Sequence, residues 1–376
     1  MINSKKGLVN FSVLFYFITF LLVNQFNHYF IAIIFYFSLV LSCFVGLIIN
    51  KCMLSSEKIL VIILIMFTGI INYFFVGTTS IKNQIFLYVF CLASTTFTNN
   101  TLSEKTVLIA TWLNIIVVIY RFSTVGFWGQ IYTNATSNFV SVYLMYPTVL
   151  YYTIVAKKKK KINLFPATIV WLLSLLSRGR GGIISTTIFI IMLYFVQYHT
   201  LHIKSRLLIT VMGIISASVA IINLDIILDK LNTSIIMEYF IARGGLKSSR
   251  IRFWAEYIVQ TVSSIKNILF GTNVSNIGIG QELDFNPHNS FIEIHMHNGI
   301  FTLMIVFIML AKNGYISIKK QNYIYIVCMI SIMIRAFTDH VFWPAYGTPI
   351  LFYFMFYYDN ISSNLNLRKR RQEFLK

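Results

Sequence analysis

The chain has 376 residues, of which 57% are hydrophobic and only 11% charged, and its 31 Lys and Arg against 12 Asp and Glu leave a formal charge of +19. Soluble domains carry about 25% charged residues, so this composition, with a mean hydropathy of +0.72, excludes most soluble folds and predicts an all-α, polytopic integral membrane protein. The basic excess falls mostly in short loops between apolar stretches, where it reads as a topology signal and not as a nucleic-acid surface.

Lys5 and Lys6 precede a first apolar run that lacks a small-residue cleavage site, which predicts an uncleaved signal anchor. A crossing needs about 20 apolar residues. Such stretches run over 8–27, 28–50, 59–77, 84–97, 106–125, 138–156, 163–178, 182–198 and 206–224, giving an N-terminal transmembrane bundle over 1–224. Residues 225–287 then run without a continuous apolar stretch of spanning length, and a connection that long is usually functional. Within it Ile251, Trp254, Ile258, Val262 and Ile265 repeat at helical spacing, predicting an amphipathic helix that lies against a leaflet or covers a cavity. Three further stretches, 288–311, 322–338 and 344–358, bring the total to about twelve, and a basic tail occupies 359–376.

With the N-terminus inside, 20 of the 31 basic residues fall on the cytoplasmic side, among them the run Lys157 to Lys161 and the tail Arg368 to Arg371. The large loop then faces outward. The four cysteines, Cys43, Cys52, Cys91 and Cys328, show no paired spacing and predict neither a disulfide framework nor a metal site.

Lysines and arginines divide differently between the two sides. Of 20 lysines 16 map inside, whereas Arg121, Arg178, Arg180, Arg243, Arg250, Arg252 and Arg335 map outside or near the outer ends of spans. Topology does not require arginines there, and a planar guanidinium binds phosphate through two parallel hydrogen bonds. The outward arginines therefore predict a lipid-linked phosphate or diphosphate ligand. Ser177-Arg178-Gly179-Arg180-Gly181-Gly182 is a turn whose glycines allow backbone N–H groups to approach an anion, ahead of a helix N-terminus. Arg250 and Arg252 open the amphipathic helix. Arg335 stands one turn before Asp339, where the pair forms a simple ion pair.

The second constellation is Pro287-His288-Asn289-Ser290-Phe291-Ile292-Glu293, followed by His295, His297 and Gly299, at the outer mouth of the tenth stretch. An imidazole at a water interface can exchange a proton with a substrate hydroxyl, so His288 is the candidate catalytic residue. Asn289, Glu293 and Asp339 are supporting candidates, and Glu293 within an apolar helix demands a partner.

Ser177-Arg178-Gly179 ahead of an apolar stretch, Arg250 to Trp254 followed by Leu269-Phe270-Gly271, and His288-Asn289 with Gly299 beyond, in that order, resemble the O-antigen polymerase and O-antigen ligase superfamily of bacterial polysaccharide assembly. The likeness covers mainly residues 170–311. Ligase-like members carry a second glycine where this chain has Thr302, and the arginine motif is doubled, so Arg178 or Arg180 can hold the family position.

The resemblance implies a multi-pass glycosyltransferase of the bacterial inner membrane, with one large periplasmic loop, a periplasmic active site and both termini cytoplasmic. It implies an undecaprenyl diphosphate-linked oligosaccharide as donor and acceptor, no cofactor or metal, and a chain-length regulator and a flippase as partners. The leading expectation is a polysaccharide polymerase, with Arg178, Arg180, Arg250 and Arg252 on the diphosphate and His288 on the acceptor proton. The alternatives are a ligase that delivers the glycan to lipid A core or protein, and, from another class, a flippase of lipid-linked oligosaccharide.

Overall fold

A computed structural model describes residues 2–26, 29–50, 54–126, 137–177, 179–200, 203, 206, 249–278, 286–343, 345 and 347–358. Every regular element among them is helical. In chain order these are α1 (Ile2–Gln25), α2 (Tyr29–Ile49), α3 (Ser56–Phe75), α4 (Ile81–Phe97), α5 (Glu104–Val125), α6 (Val140–Lys157), α7 (Phe165–Leu176), α8 (Arg180–Thr200), α9 (Ser249–Val262), α10 (Ile265–Phe270), α11 (Ser290–Lys319), α12 (Tyr323–Thr338) and α13 (Thr348–Met355). Two short 3-10 turns, Ser137–Phe139 and Val274–Asn276, precede α6 and follow α10.

Six helices, α1, α2, α3, α5, α8 and α11, are long and apolar enough to cross a membrane. Helices also stand in five other predicted stretches, while the stretch 206–224 lies outside the described residues apart from its first position. Two of the predicted crossings are short as helices: α7 has 12 residues and α13 has 8, which at 1.5 Å per residue reach about 18 and 12 Å against a hydrocarbon core of about 30 Å. Of the predicted large loop only 249–278 and 286–287 are described.

The centre of the bundle is α6, buried at every position from Val140 to Val155, as a helix apolar all round must be. Helix α13, also buried throughout, lies in the same core. Pro349 in its first turn needs no N–H partner. Cys43, Cys91 and Cys328 are free and buried within the bundle.

The bundle has two unlike ends. At one, Lys158 Nζ meets Glu104 at 2.6 Å, Lys160 meets the other oxygen of that carboxylate, Lys312 meets Glu57, and Lys157 donates to Thr98 O at 3.1 Å. At the other end lie the N-termini of α6, α8 and α11 and the C-terminus of α12, held together by the contacts described below.

Helix α11 is broken where its backbone must yield. Gly299 takes φ +72°, and a Cβ there would collide with the carbonyl of Leu269. The Leu269–Gly271 backbone fits into this break, because Gly271, at φ +100°, also lacks a Cβ that would strike the carbonyls of His295 and Met296. Asn72 of α3 clamps the joint: its Nδ2 donates to Phe270 O (2.6 Å) and Met296 O (2.8 Å), and its Oδ1 accepts from Thr79 N (2.9 Å). One turn on, Thr302 shares a 2.8 Å hydrogen bond with Thr68. Close packing of α11 on α3 is therefore kept with threonine where the resemblance led one to look for glycine.

Candidate functional site

The site begins at the end of α12. Arg335 is 1% exposed, and its guanidinium donates to Asn138 O (2.8 Å), Asp339 Oδ2 (3.1 Å), Thr338 Oγ1 (3.2 Å) and Ser141 Oγ (3.3 Å). A buried cation needs this many partners. The predicted Arg335–Asp339 ion pair is present, and it supports the site from below.

Asp339 leaves the helix in an extended conformation. Its Oδ1 accepts from His288 Nδ1 (2.9 Å) and from the backbone N–H of His340 (2.9 Å). Burial alone would push the carboxyl up, but the His288 hydrogen bond and the charges of Arg335, His288 and Arg250 outweigh it and hold the group well below the usual carboxylate range. An ionised acceptor at Nδ1 fixes that nitrogen as the donor, so that Nε2 is the nitrogen left to exchange a proton. The His288 side chain is 25% exposed, against 2% for Asp339.

His288 is placed by a tight turn. Its φ is +47°, its N–H donates to Asn286 Oδ1 (2.8 Å), and the preceding Pro287 carbonyl accepts from Trp254 Nε1 of α9 (2.7 Å). Asn289 caps α11, its Oδ1 accepting from Phe291 N and Ile292 N. Ser290 Oγ donates to Asp339 O (2.9 Å) and accepts from Val341 N (2.9 Å). The His-Asn-Ser run thus fastens the start of α11 to the segment after α12, and Asn289 acts through the cap.

Arg250, at the start of α9, donates from Nη1 to Thr338 O at 2.9 Å, which brings it beside the His288–Asp339 pair. Helix α8 arrives at the same place. A Cβ on Gly181 would strike Thr338 Oγ1 and one on Gly182 would strike Ser141 Oγ, so these two glycines admit α12 and α6 at close range. This packing is a role the sequence reading of the turn did not include. Arg180 is the first residue of α8 and half-buried, while Arg178 lies outside the described residues. Arg252 is exposed and the structure does not bring it to the cluster: two residues along a helix is about 200° around it, away from Arg250.

Glu293 is 5% exposed, and its Oε2 lies against His340 Nδ1 without the geometry of a hydrogen bond. Burial, with the neighbouring His288 imidazole, pushes His340 down to about 4. His295 is engaged at both nitrogens, by Tyr257 Oη (2.5 Å) and Ile268 O (2.9 Å), which leaves it a packing role. Among the described residues no three His, Cys, Asp or Glu side chains are grouped as a metal ion requires.

The arrangement on α9 differs from the predicted one. Phe253 and Tyr257 are its buried face, while Ile251, Ile258 and Val262, and Ile265 beyond, are more than half exposed. Only Trp254 of the periodic set is packed, edge-on to Phe337 at 5.2 Å. The apolar stripe is therefore exposed and is not the face that packs on the bundle. Arg335 as the hub, with Ser141 and Asn138 beneath it, was not legible as such, since neutral residues near a helix start carry no distinguishing pattern.

No protein-family model matches the chain, and no curated protein matches it.

Proposed function

We propose that this membrane protein is a polysaccharide polymerase that moves a growing glycan from a polyprenyl diphosphate carrier onto a hydroxyl of an incoming lipid-linked repeat unit. The observation that carries the reading is the convergence of Arg250, the arginine-bearing start of α8 and the His288–Asp339 pair on the C-terminus of α12. It gathers a base and cations for a leaving diphosphate at one end of the bundle.

In this reading Asp339 fixes the His288 ring, and Nε2 takes the proton of the acceptor hydroxyl. The freed oxygen attacks the anomeric carbon as the bond from that carbon to the diphosphate oxygen breaks. Arg250 and Arg180, with Arg178 in the same turn, meet the charge that develops on the departing diphosphate. Arg335 does not touch substrate; it keeps Asp339 ionised. The end that carries the arginines faces the periplasm of a bacterial inner membrane, and the lysine end faces the cytoplasm, in keeping with the positive-inside rule.

The test is incubation of the purified protein with undecaprenyl diphosphate-linked repeat units alone. Longer lipid-linked chains support the reading. A strict need for a lipid A core or protein acceptor overturns it in favour of ligation.

A further inference from the structure

Beside the cluster, and opening at the same end of the bundle, is a cavity of about 370 Å³ enclosed by α1, α2, α4, α6 and the 340–347 segment. Its size falls in the range of small-molecule sites. Asn83 and Phe90, both on its lining, stand seven residues apart on α4, about 10 Å along that helix. His340, which lies against Glu293, forms part of its wall. The cavity is thus the neighbour of the His288–Asp339 pair.

The walls combine flat rings with hydrogen-bonding edges. Tyr36 and Phe86 stack at 4.8 Å with 12° between their planes, and Phe20 meets Tyr143 edge-on at 4.9 Å. Tyr143 Oη donates to Asn24 Oδ1 (2.5 Å), and Tyr146 Oη donates to Val341 O (2.7 Å), so the tyrosine edges and the Asn24 amide form the polar part of the wall. Lys82 lies at the rim, its Nζ 5.8 Å from the Phe86 ring centre. It is one of the few lysines that the sequence places outside. A sugar ring matches both features: its C–H faces lie on aromatic rings, whose faces are electron-rich, and its hydroxyls meet the polar edges. An isoprenoid chain would match the rings but not Asn24, Asn83 and Lys82 on the same lining.

We propose that this cavity is the acceptor subsite, holding the terminal sugar rings of the incoming repeat unit while His288, beside its His340 wall, acts on the acceptor hydroxyl. The assignment rests on the glycosyltransferase reading above, and its test is chosen so that the two can fail separately.

The full-length protein in lipid nanodiscs is examined by saturation-transfer NMR with methyl glycosides of hexoses and N-acetylhexosamines as probes, with and without undecaprenyl phosphate. Wild type and His288→Ala transfer saturation to the glycosides, and Tyr36→Ala reduces it by about three- to tenfold, the value of one aromatic contact. Asn83→Trp, which puts an indole into the cavity from a partly exposed lining position, abolishes it. Absence of glycoside signal in wild type, equal signal in the plugged variant, or displacement by undecaprenyl phosphate overturns the subsite. In cells, Asn83→Trp at normal membrane abundance shortens the polymer ladder. A wild-type ladder from Asn83→Trp beside a lost ladder from His288→Ala overturns the subsite alone, whereas wild-type ladders from both overturn the polymerase reading as well.

Discussion

His288 and Asp339, 51 residues apart in the chain, are joined by a 2.9 Å hydrogen bond, and the carboxylate oxygen that His288 leaves free is held by buried Arg335 at 3.1 Å. One half of this chain of three is partly open to solvent and the other is sealed in the bundle, which gives the two ends different sensitivities to substitution.

His288→Gln removes the base but no buried charge partner other than one hydrogen bond, so polymer formation falls by about 10²- to 10⁴-fold while the thermal midpoint in detergent stays near wild type. Asp339→Asn loses activity to a similar degree and also leaves Arg335 buried without its counter-charge, at about 3–5 kcal/mol. Equal midpoints for the two variants would contradict the division of labour.

Arg335→Lys tests the fork. A point-charge ammonium cannot serve Asn138 O, Ser141, Thr338 and Asp339 together. The variant is expected to lower both the thermal midpoint and activity, the latter through a displaced His288. A lysine variant with full stability would show that charge alone is required.

Glycine is required at one step of α11 and not at the next. Gly299→Ala adds a Cβ against Leu269 O at a positive φ, a cost above about 1 kcal/mol, and reduces folded protein recovered from membranes. Thr302→Gly removes the hydroxyl bonded to Thr68 and costs about 0.6 kcal/mol for the hydrogen bond plus up to about 1 kcal/mol for a helical glycine. Both variants are expected to lower the thermal midpoint, and a wild-type midpoint in either would contradict the packing described.

Acid dependence follows from His340, which lies outside the helices. The unfolded chain binds its proton near 6.5, whereas the folded chain resists until about 4. Because the unfolded state binds more protons in that window, stability falls as pH drops from about 6.5 to about 4. His340→Asn flattens the thermal midpoint across the same interval. An unchanged slope would place the acid sensitivity elsewhere.

The sequence made the helical membrane architecture legible because apolar length is a direct physical requirement for crossing a bilayer. It also separated the two ends, since lysines and arginines sort differently. It did not reveal which face of α9 packs. In a membrane protein the lipid-facing and core-facing sides are both apolar, so periodicity over Ile251, Ile258 and Val262 marks a stripe without telling which way it points. Nor did it show that Gly181 and Gly182 serve helix packing. A glycine beside an arginine fits both an anion loop and a close crossing, and the positions of Thr338 and Ser141 show the crossing. Asn289 next to His288 read as a site residue, but a residue before an apolar helix is equally a cap, and its hydrogen bonds are those of one.

The central claim, that arginines and His288 act together on a diphosphate-linked sugar at one end of the bundle, is tested most directly by a polymer ladder from membranes carrying Arg178→Ala, Arg180→Ala, Arg250→Ala or His288→Ala, each matched for abundance. Loss of the ladder in His288→Ala and Arg250→Ala, and in at least one of the α8 arginines, is the predicted result. Full ladders from all four variants would contradict it.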